Sequence, residues 1–141
     1  MNTSATAVRT ATTASYIQDY DAITELMNLY NEGVRIGSSA VMKPGFHQAA
    51  TFYGYYDGTL LAGPIQTLFD WVDGNGPSSE MRVRIASIDI HETIAVVRLE
   101  LENLQGKLAG EEGAHLSDLF QAIKIDGEWK LSQKSFHWHT A

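Results

Sequence analysis

The chain has 141 residues with 10 basic and 17 acidic side chains, a formal net charge of −7 and no cysteine. This length and an apolar content of 44% suit one globular domain with a sizeable core. The acidic balance argues against binding to nucleic acid or to anionic membranes, and the lack of cysteine excludes disulfides, thiolate metal sites and a cysteine nucleophile. Because we find neither a bilayer-spanning apolar run nor a secretory signal, we expect a soluble, cytoplasmic protein.

The N-terminal third predicts a tail and two helices. Residues 1–14 are rich in Thr, Ala and Ser and predict a flexible tail before a single domain over residues 15–141. Ser15 with Gln18 fits a capping box, and Asp19 is a rival N-cap. Apolar residues at spacings of three or four then predict an amphipathic helix that ends within residues 33–37, and a short second helix precedes Pro44-Gly45.

The middle of the chain predicts a hairpin and a third helix. The aromatic run 49–56, the turn Asp57-Gly58 and residues 59–62 are typical of two paired strands. Pro64 is expected to open the next helix, which ends at the glycine-rich segment 73–77.

The second half predicts four consecutive strands. Residues 81–90 and 93–104 form one pair, residues 105–113 form a polar loop, and the two strands around Asp126-Gly127 form the last hairpin. Helices in the first half and mostly antiparallel strands in the second define an α+β fold class.

A tight turn at Asp126-Gly127 also predicts the register of the last hairpin. Pairing Ile125 with Glu128 places Asp118 opposite Ser135, on a mostly apolar sheet face. That face is expected to cover the helices. Four apolar residues are expected on the opposite face: Leu119, Ile123, Phe136 and Trp138.

Several short motifs together resemble the nuclear-transport-factor-2-like (NTF2-like) superfamily, and within it the SnoaL-like and lumazine-binding groups. The resemblance covers roughly residues 16–138, and it rests on stretches that follow one another in the family's order. They are Tyr20-Asp21-Ala22-Ile23, Tyr30-Asn31-Glu32-Gly33, Phe46-His47-Gln48-Ala49-Ala50, Tyr56-Asp57-Gly58, Ser117-Asp118-Leu119-Phe120, Lys124-Ile125-Asp126-Gly127-Glu128-Trp129-Lys130-Leu131 and Lys134-Ser135-Phe136.

The resemblance implies a cystatin-like cone, in which a curved sheet wraps around three helices and encloses a pocket. It also implies a homodimer through the sheet face away from the helices, which would use the four apolar residues named above. Relatives include ketosteroid isomerase, polyketide cyclases, dehydratases and members without a known activity, so the fold alone does not assign a function.

Asp118 is the main candidate for chemistry. A carboxylate among apolar side chains has a raised pKa, which suits a general acid or base, and His47 is a candidate partner in a His–Asp dyad. The alternative is that each is structural, with Asp118 bonded to Ser135, a Tyr hydroxyl or backbone, and His47 bonded to backbone.

Aromatic side chains are candidates for contacts with a flat ligand, although they could equally form plain core. The ligand-binding candidates are Tyr30, Tyr53, Tyr56, Trp71, Phe120, Trp129 and His137. The His137-Trp138-His139 motif places two rings on one face, but two ligands lack the third and fourth that zinc requires. We therefore predict no metal and no cofactor.

Three functions remain open at this stage. The first is a homodimeric protein that binds a small apolar or planar molecule in a mostly apolar pocket. The second is a cofactor-free isomerase, cyclase or dehydratase in which Asp118, alone or with His47, moves a proton beside a carbonyl group. The third is an interaction scaffold with a closed interior, which a cavity smaller than about 300 Å³ would favour.

Overall fold

The computed structural model describes residues 15–139, which form three α-helices and six strands. Helix α1 (Tyr16–Ile36) begins at Ser15, whose hydroxyl oxygen accepts a 2.8 Å hydrogen bond from the backbone N–H of Gln18. It ends at Gly37 in the left-handed conformation, where glycine carries no steric penalty. Ser15 is therefore the N-cap, as the predicted capping box has it, and the rival N-cap Asp19 lies inside the helix; the helix ends at the far limit of the range 33–37 in which the sequence predicts its end.

Two shorter helices complete the helical layer. Helix α2 (Ser39–Met42) runs into a 3-10 turn (Lys43–Gly45), and α3 is Gln66–Asn75. Pro64 does not open α3 as expected, because it is the last residue of a strand and pairs with Thr51. No helix among residues 15–139 is long and apolar enough to cross a membrane.

The strands form one open sheet in the order β2-β1-β6-β5-β4-β3. Their bounds are β1 Phe46–Tyr56, β2 Thr59–Pro64, β3 Arg82–His91, β4 Ile94–Gly106, β5 Gly110–Ile125 and β6 Glu128–His139. All neighbours are antiparallel except β1 and β6. The sheet face toward the helices, here the inner face, buries the apolar core with α1 and α3. This is the predicted α+β fold.

Asn75 at the end of α3 shortens the expected loop 105–113 to a turn. Its side-chain N–H donates to the Gln105 carbonyl at 3.0 Å, and its Oδ1 accepts from the backbone N–H groups of Leu108 and Ala109 at 2.9 and 2.8 Å. This side chain is almost fully buried. It therefore ties the β4–β5 turn to the helical layer.

A bulge at Ser132 corrects the predicted register of the last hairpin. Ile125 pairs with Glu128 and Ala122 with Leu131 as expected, but Gln121 pairs with Gln133, so Ser132 is an extra residue. A bulge sends every later residue of its strand to the opposite face.

The bulge has two consequences for the predicted faces. Beyond it, Asp118 pairs with Phe136 rather than Ser135, and Leu116 pairs with Trp138 rather than His137. Phe136 and Trp138 therefore lie on the inner face against the core, and the expectation that they form an outer dimer surface is wrong. Leu119 remains on the outer face and is 49% exposed.

Candidate functional site

A cavity lies between the inner face of the sheet and helices α1 and α3. Its walls are almost entirely apolar, and two polar side chains, Tyr30 and Lys134, reach it. The other lining residues are Val34, Phe52, Tyr56, Leu61, Leu68, Trp71, Val72, Leu101, Leu104, Leu116, Phe136 and Trp138. An apolar cavity therefore lies between the sheet and the helices, and its two buried polar side chains, Tyr30 and Lys134, contact each other.

Lys134 supplies the charge at that point. It is only 3% exposed, and its ammonium group donates a 2.8 Å hydrogen bond to the hydroxyl oxygen of Tyr30. The same nitrogen lies 3.6 Å from Oδ2 of Asp118. A lysine is rarely buried to this extent unless it is paired. The geometry therefore defines a buried Lys134–Tyr30–Asp118 cluster.

Asp118 is the third member of the cluster. It is fully buried, and the Tyr30 hydroxyl donates to its Oδ2 across a long 3.5 Å. Its other oxygen, Oδ1, is buried without a hydrogen-bond partner among residues 15–139. A buried carboxylate with one free oxygen is poorly solvated, which costs stability and favours a protonated form.

Burial shifts the pKa values of Asp118, Lys134 and Tyr30 in the directions that favour their uncharged forms. Desolvation raises the pKa of Asp118, although the Lys134 ammonium opposes this. Desolvation lowers the pKa of Lys134, although Asp118 opposes this. Desolvation and the neighbouring carboxylate hold the pKa of Tyr30 well above its usual value, so its hydroxyl keeps its proton and remains a donor.

Three aromatic rings surround the ammonium nitrogen of Lys134. It lies 5.1 Å from the ring centroid of Tyr30 and 5.4 Å from those of Phe52 and Phe136. Rings at this distance attract a cation through their electron-rich faces. The rings therefore favour the charged form of Lys134, whereas its burial lowers its pKa.

The cavity is nearly closed in this conformation. Its free volume is about 30 Å³, which is room for one or two water molecules. Tyr56, Trp71 and Trp138 meet edge to face, with ring centroids 5.4 to 6.2 Å apart. We refer to these three residues as the aromatic gate.

A larger cleft of about 530 Å³ lies outside the gate. It shares Tyr56 and Trp138 with the inner cavity and continues to Asp57, Leu108 and Ala109. The Tyr56 hydroxyl donates a 2.6 Å hydrogen bond to the Leu108 carbonyl, which joins the β1–β2 and β4–β5 turns. The cleft and the cavity therefore adjoin at Tyr56 and Trp138.

His47 is placed apart from this cluster. Its Nδ1 accepts a 3.0 Å hydrogen bond from the backbone N–H of Ala49. This is the backbone contact expected if His47 has a structural role. Within residues 15–139 the side-chain partners of Asp118 are Tyr30 and Lys134, and no hydrogen bond joins Asp118 to His47. The proposed dyad is therefore not formed.

The predicted ligand-binding aromatics divide into three groups. Tyr30, Tyr56 and Trp71 line the cavity. Phe120 is fully buried behind Tyr30, with ring centroids 4.9 Å apart, and Trp129 is core that donates to Asp19 at 3.0 Å. The remaining two lie on the outer face, since Tyr53 pairs with Ser135 and His137 with Ser117.

Sequence reasoning missed Lys134 because a lysine in an amphipathic strand is ordinarily placed on the solvent face. In the unbulged register Lys134 is an outer residue. The bulge at Ser132 turns it inward, opposite Phe120. Lys134 lies three residues after the inner residue Leu131, and in a regular strand an odd spacing places a residue on the opposite face. Nothing in the sequence alone marks the bulge that reverses this.

Three helices packed on one face of an open six-stranded sheet form the α+β fold of this chain. The family model described as "Putative lumazine-binding" matches residues 18–137. The chain therefore belongs to this lumazine-binding family of NTF2-like proteins.

Individual relatives agree with the family. A protein from Cladobotryum sp. named aldolase FrzH is 32% identical over 119 residues, which covers 84% of this chain and 90% of the relative. An NTF2-like protein from Shewanella baltica OS155 is 36% identical, with 90% and 98% of the two chains covered and a TM-score of 0.78. One from Methylobacillus flagellatus KT is 38% identical, with 89% and 96% covered and a TM-score of 0.80.

Proposed function

We propose that the protein is a cofactor-independent enzyme that makes or breaks a carbon–carbon bond next to a carbonyl group, with Lys134 as the reactive amine. The observation that carries this proposal is the burial of Lys134 at the inner end of an apolar cavity, hydrogen-bonded to Tyr30. Its substrate is a small, mostly apolar carbonyl compound, because apart from Lys134 and Tyr30 the cavity wall is almost entirely apolar.

The neutral amine of Lys134 is the reactive form. Desolvation lowers the pKa of this lysine, which increases the fraction of neutral amine near neutral pH. The amine nitrogen forms a bond to the carbonyl carbon, and the carbonyl oxygen leaves as water with both amine protons. Protonation gives an iminium, which acidifies the neighbouring C–H bond.

Tyr30 and Asp118 handle the protons of this reaction. The proton of the neighbouring carbon passes to the Tyr30 oxygen while the Tyr30 proton moves to Asp118, which leaves an enamine. The enamine carbon bonds to an aldehyde carbon, the aldehyde oxygen takes a proton back through Tyr30, and water then releases the product and restores the amine. The raised pKa of Asp118 suits a group that accepts and returns a proton.

The relative named as an aldolase supports this reaction class. An aldol reaction needs the elements that meet here, which are an amine to activate the carbonyl, a proton relay and a water-poor cavity. Asp118 is the sequence-predicted acid, but it acts behind Tyr30 and Lys134 rather than with His47.

Trapping with borohydride tests the proposal directly. Acetone is the smallest ketone, and borohydride reduces the iminium that it forms to a stable isopropylamine on the lysine. We expect one isopropyl group on Lys134 by peptide mass spectrometry, and none there in the Lys134→Met variant. Lys130→Met is the matched control, since Lys130 lies on the same strand with its ammonium on the Pro44 carbonyl.

A second assay tests turnover. Retro-aldol cleavage of 4-hydroxy-2-pentanone, a small β-hydroxyketone, releases acetone and acetaldehyde, and the acetaldehyde is measured with a coupled alcohol dehydrogenase. Lys134→Met should lose at least about 100-fold of the rate, because the covalent path disappears. Equal rates in Lys134→Met and Lys130→Met, together with no adduct on Lys134, would overturn the proposal.

The small cavity favours a second candidate, a dimeric scaffold whose packed interior binds no ligand. A volume of about 30 Å³ is far below that of ordinary ligand pockets. In this case Lys134 and Asp118 are a structural ion pair. Trapping distinguishes the two, since a scaffold would give no adduct on Lys134 at any acetone concentration.

A further inference from the structure

A cluster of two histidines and one glutamate lies on the outer face of the sheet, away from the cavity. Glu100 on β4, His115 on β5 and His139 on β6 each aim one ligand atom at a common point, and these atoms lie within 4.8 Å of one another. We propose that this cluster binds one zinc ion. It is independent of the proposed function of the cavity.

The Ser132 bulge creates the cluster. In the unbulged register His115 would face Trp138, but the extra residue pairs His115 with His139 instead. The two rings stack with centroids 4.3 Å apart. Three neighbouring strands therefore contribute one ligand each, which gives a rigid set.

The ligand atoms are already close to the spacing of a zinc site. His115 Nε2 lies 2.9 Å from Oε1 of Glu100. With zinc bonds of about 2.0–2.1 Å, tetrahedral ligand atoms are about 3.3 Å apart. The His115–Glu100 pair is near this spacing, and the other pairs, which lie within 4.8 Å, reach it by side-chain movements of at most about 1.5 Å. Two histidines and one glutamate with an open fourth position form a known catalytic-type zinc set.

Ser117 and Arg98 hold Glu100 in place. The Ser117 hydroxyl lies 2.9 and 2.8 Å from the two carboxylate oxygens and 2.8 Å from Nε2 of His139, and Arg98 forms an ion pair with the same carboxylate. Burial raises the pKa of Glu100, but hydrogen bonds from His115 and Ser117 and the charge of Arg98 lower it overall. The Ser117 hydroxyl contacts the ligand atoms directly and therefore rotates away when zinc binds, whereas the Arg98 ion pair can continue to orient the Glu100 carboxylate.

The ligand chemistry selects the ion. Imidazole nitrogen and carboxylate oxygen together suit zinc and neighbouring late first-row metals, whereas magnesium and calcium prefer oxygen alone. The fourth position is taken by water. His137 is next to this set, with its ring centroid 4.7 Å from that of His139, but it is not one of the three converging ligands.

Zinc titration of the tag-free protein, followed by calorimetry and by competition with a fluorescent chelator, tests the site. We expect one zinc ion per chain, and an affinity at least about 100-fold lower in His115→Ala and in His139→Ala. His91→Ala is the matched control, because His91 is an exposed histidine that pairs with Asp89 on β3. It should bind as the unchanged protein does.

Thermal unfolding with and without zinc guards against misfolded variants. Zinc should raise the melting temperature of the unchanged protein and of His91→Ala, and it should leave that of His115→Ala and of His139→Ala unchanged. In the presence of a chelator, all four proteins should have the same melting temperature. Absence of stoichiometric binding would overturn the proposal. Loss of binding in His137→Ala with full binding in His115→Ala would overturn it as well, because the H-x-H pair alone would then be the site.

Discussion

The ammonium nitrogen of Lys134 lies 2.8 Å from the hydroxyl oxygen of Tyr30 in the interior of the cone. Tyr30 comes from α1 and Lys134 from β6, so the contact joins the helical layer to the sheet. Asp118 on β5 faces both groups from behind. Three elements thus bring one amine, one hydroxyl and one carboxylate together beside the inner cavity.

Removal of the Tyr30 hydroxyl should slow catalysis with little change in substrate binding. In Tyr30→Phe the Lys134 amine remains, but the proton relay to Asp118 is broken, so we expect kcat for retro-aldol cleavage to fall by about 100-fold while KM changes little. Tyr55→Phe removes a hydroxyl from an exposed residue and serves as the control. Steady-state kinetics in which both variants behave alike would exclude a role for Tyr30 in the relay.

The rate of imine formation should depend on pH through Lys134. Only the neutral amine reacts, so the rate rises as pH increases through the pKa of Lys134, which lies below the usual lysine value of 10.5. Asp118 stabilises the charged form and raises this pKa in part. Asp118→Asn removes that effect, lowers the pKa further and shifts the rising limb of the profile to lower pH.

The rate of borohydride trapping with acetone, measured across pH, checks this prediction. Asp89→Asn is the control, because it removes the same charge from an exposed position on β3. A rising limb that moves to higher pH in Asp118→Asn, or that moves equally in both variants, would contradict the assignment of the limb to Lys134.

The buried ion pair also predicts how stability depends on pH. Lys134→Met leaves Asp118 buried without a cation, which should cost about 3–5 kcal/mol of unfolding free energy near neutral pH. The folded-state pKa of Asp118 lies above the unfolded value of 3.8, so the folded state binds the extra proton. Stability of this variant should therefore rise as pH falls through the folded pKa, and the gain is complete below 3.8.

Urea unfolding of single and double variants measures this effect. Asp118→Leu combined with Lys134→Met replaces both charges with apolar groups of similar size and should regain most of the lost stability at neutral pH. A double variant no more stable than Lys134→Met would show that the cost arises from packing rather than from the unpaired charge.

The fold could be predicted from sequence because its signals are local. The capping box at Ser15 and Gln18 sets the start of α1, and the Asp126-Gly127 turn sets the start of the last hairpin, and both are confirmed. Periodic apolar residues then assign each face of a helix or strand without knowledge of its neighbours. The resemblance to NTF2-like proteins rested on the same local stretches, and the family match confirms it.

The site could be predicted only in part, because the extra residue Ser132 determines which later residues of β6 face inward. Asp118 was identified since it lies before the bulge and its face follows from the turn. Lys134 and His139 lie beyond Ser132, where a single extra residue exchanges the inner and outer faces. The sequence around Ser132 has no glycine or proline to mark an irregular strand, so both clusters were beyond local reasoning.

The aromatic gate should open more often without the hydroxyl of Tyr56. Its hydrogen bond to the Leu108 carbonyl is 2.6 Å long and links the two turns that frame the outer cleft. A bond of this type contributes about 0.5–1.5 kcal/mol, so Tyr56→Phe should increase the open fraction by about 2- to 10-fold. Acrylamide quenching of tryptophan fluorescence measures this, because Trp71 and Trp138 are gate residues while Trp129 is buried core.

Tyr55→Phe is the control for the gate as well. Tyr55 neighbours Tyr56 in sequence but is 65% exposed. Quenching should increase in Tyr56→Phe alone. Unchanged quenching in both variants would mean that the three rings hold the gate closed without the hydrogen bond.

The outer face remains the expected dimer surface, but its residues change. Ile94, Val96 and Leu119 are 55%, 44% and 49% exposed on neighbouring strands β4 and β5, and the predicted interface residue Ile123 pairs with Ile94 on the same face. An exposed apolar patch on a sheet face is typical of an interface between copies. We expect Ile94→Ser combined with Leu119→Ser to convert a dimer into a monomer in analytical ultracentrifugation.

Ile17→Ser provides the matched control for the dimer, because Ile17 is 71% exposed on the surface of α1, away from the sheet. It should leave the sedimentation coefficient unchanged. Phe136→Ser and Trp138→Ser, the changes favoured by the unbulged register, should instead destabilise the chain by opening the core, with loss of the folded protein rather than a clean monomer. A folded monomer from these core changes, with an intact dimer in the Ile94 and Leu119 variant, would place the interface elsewhere.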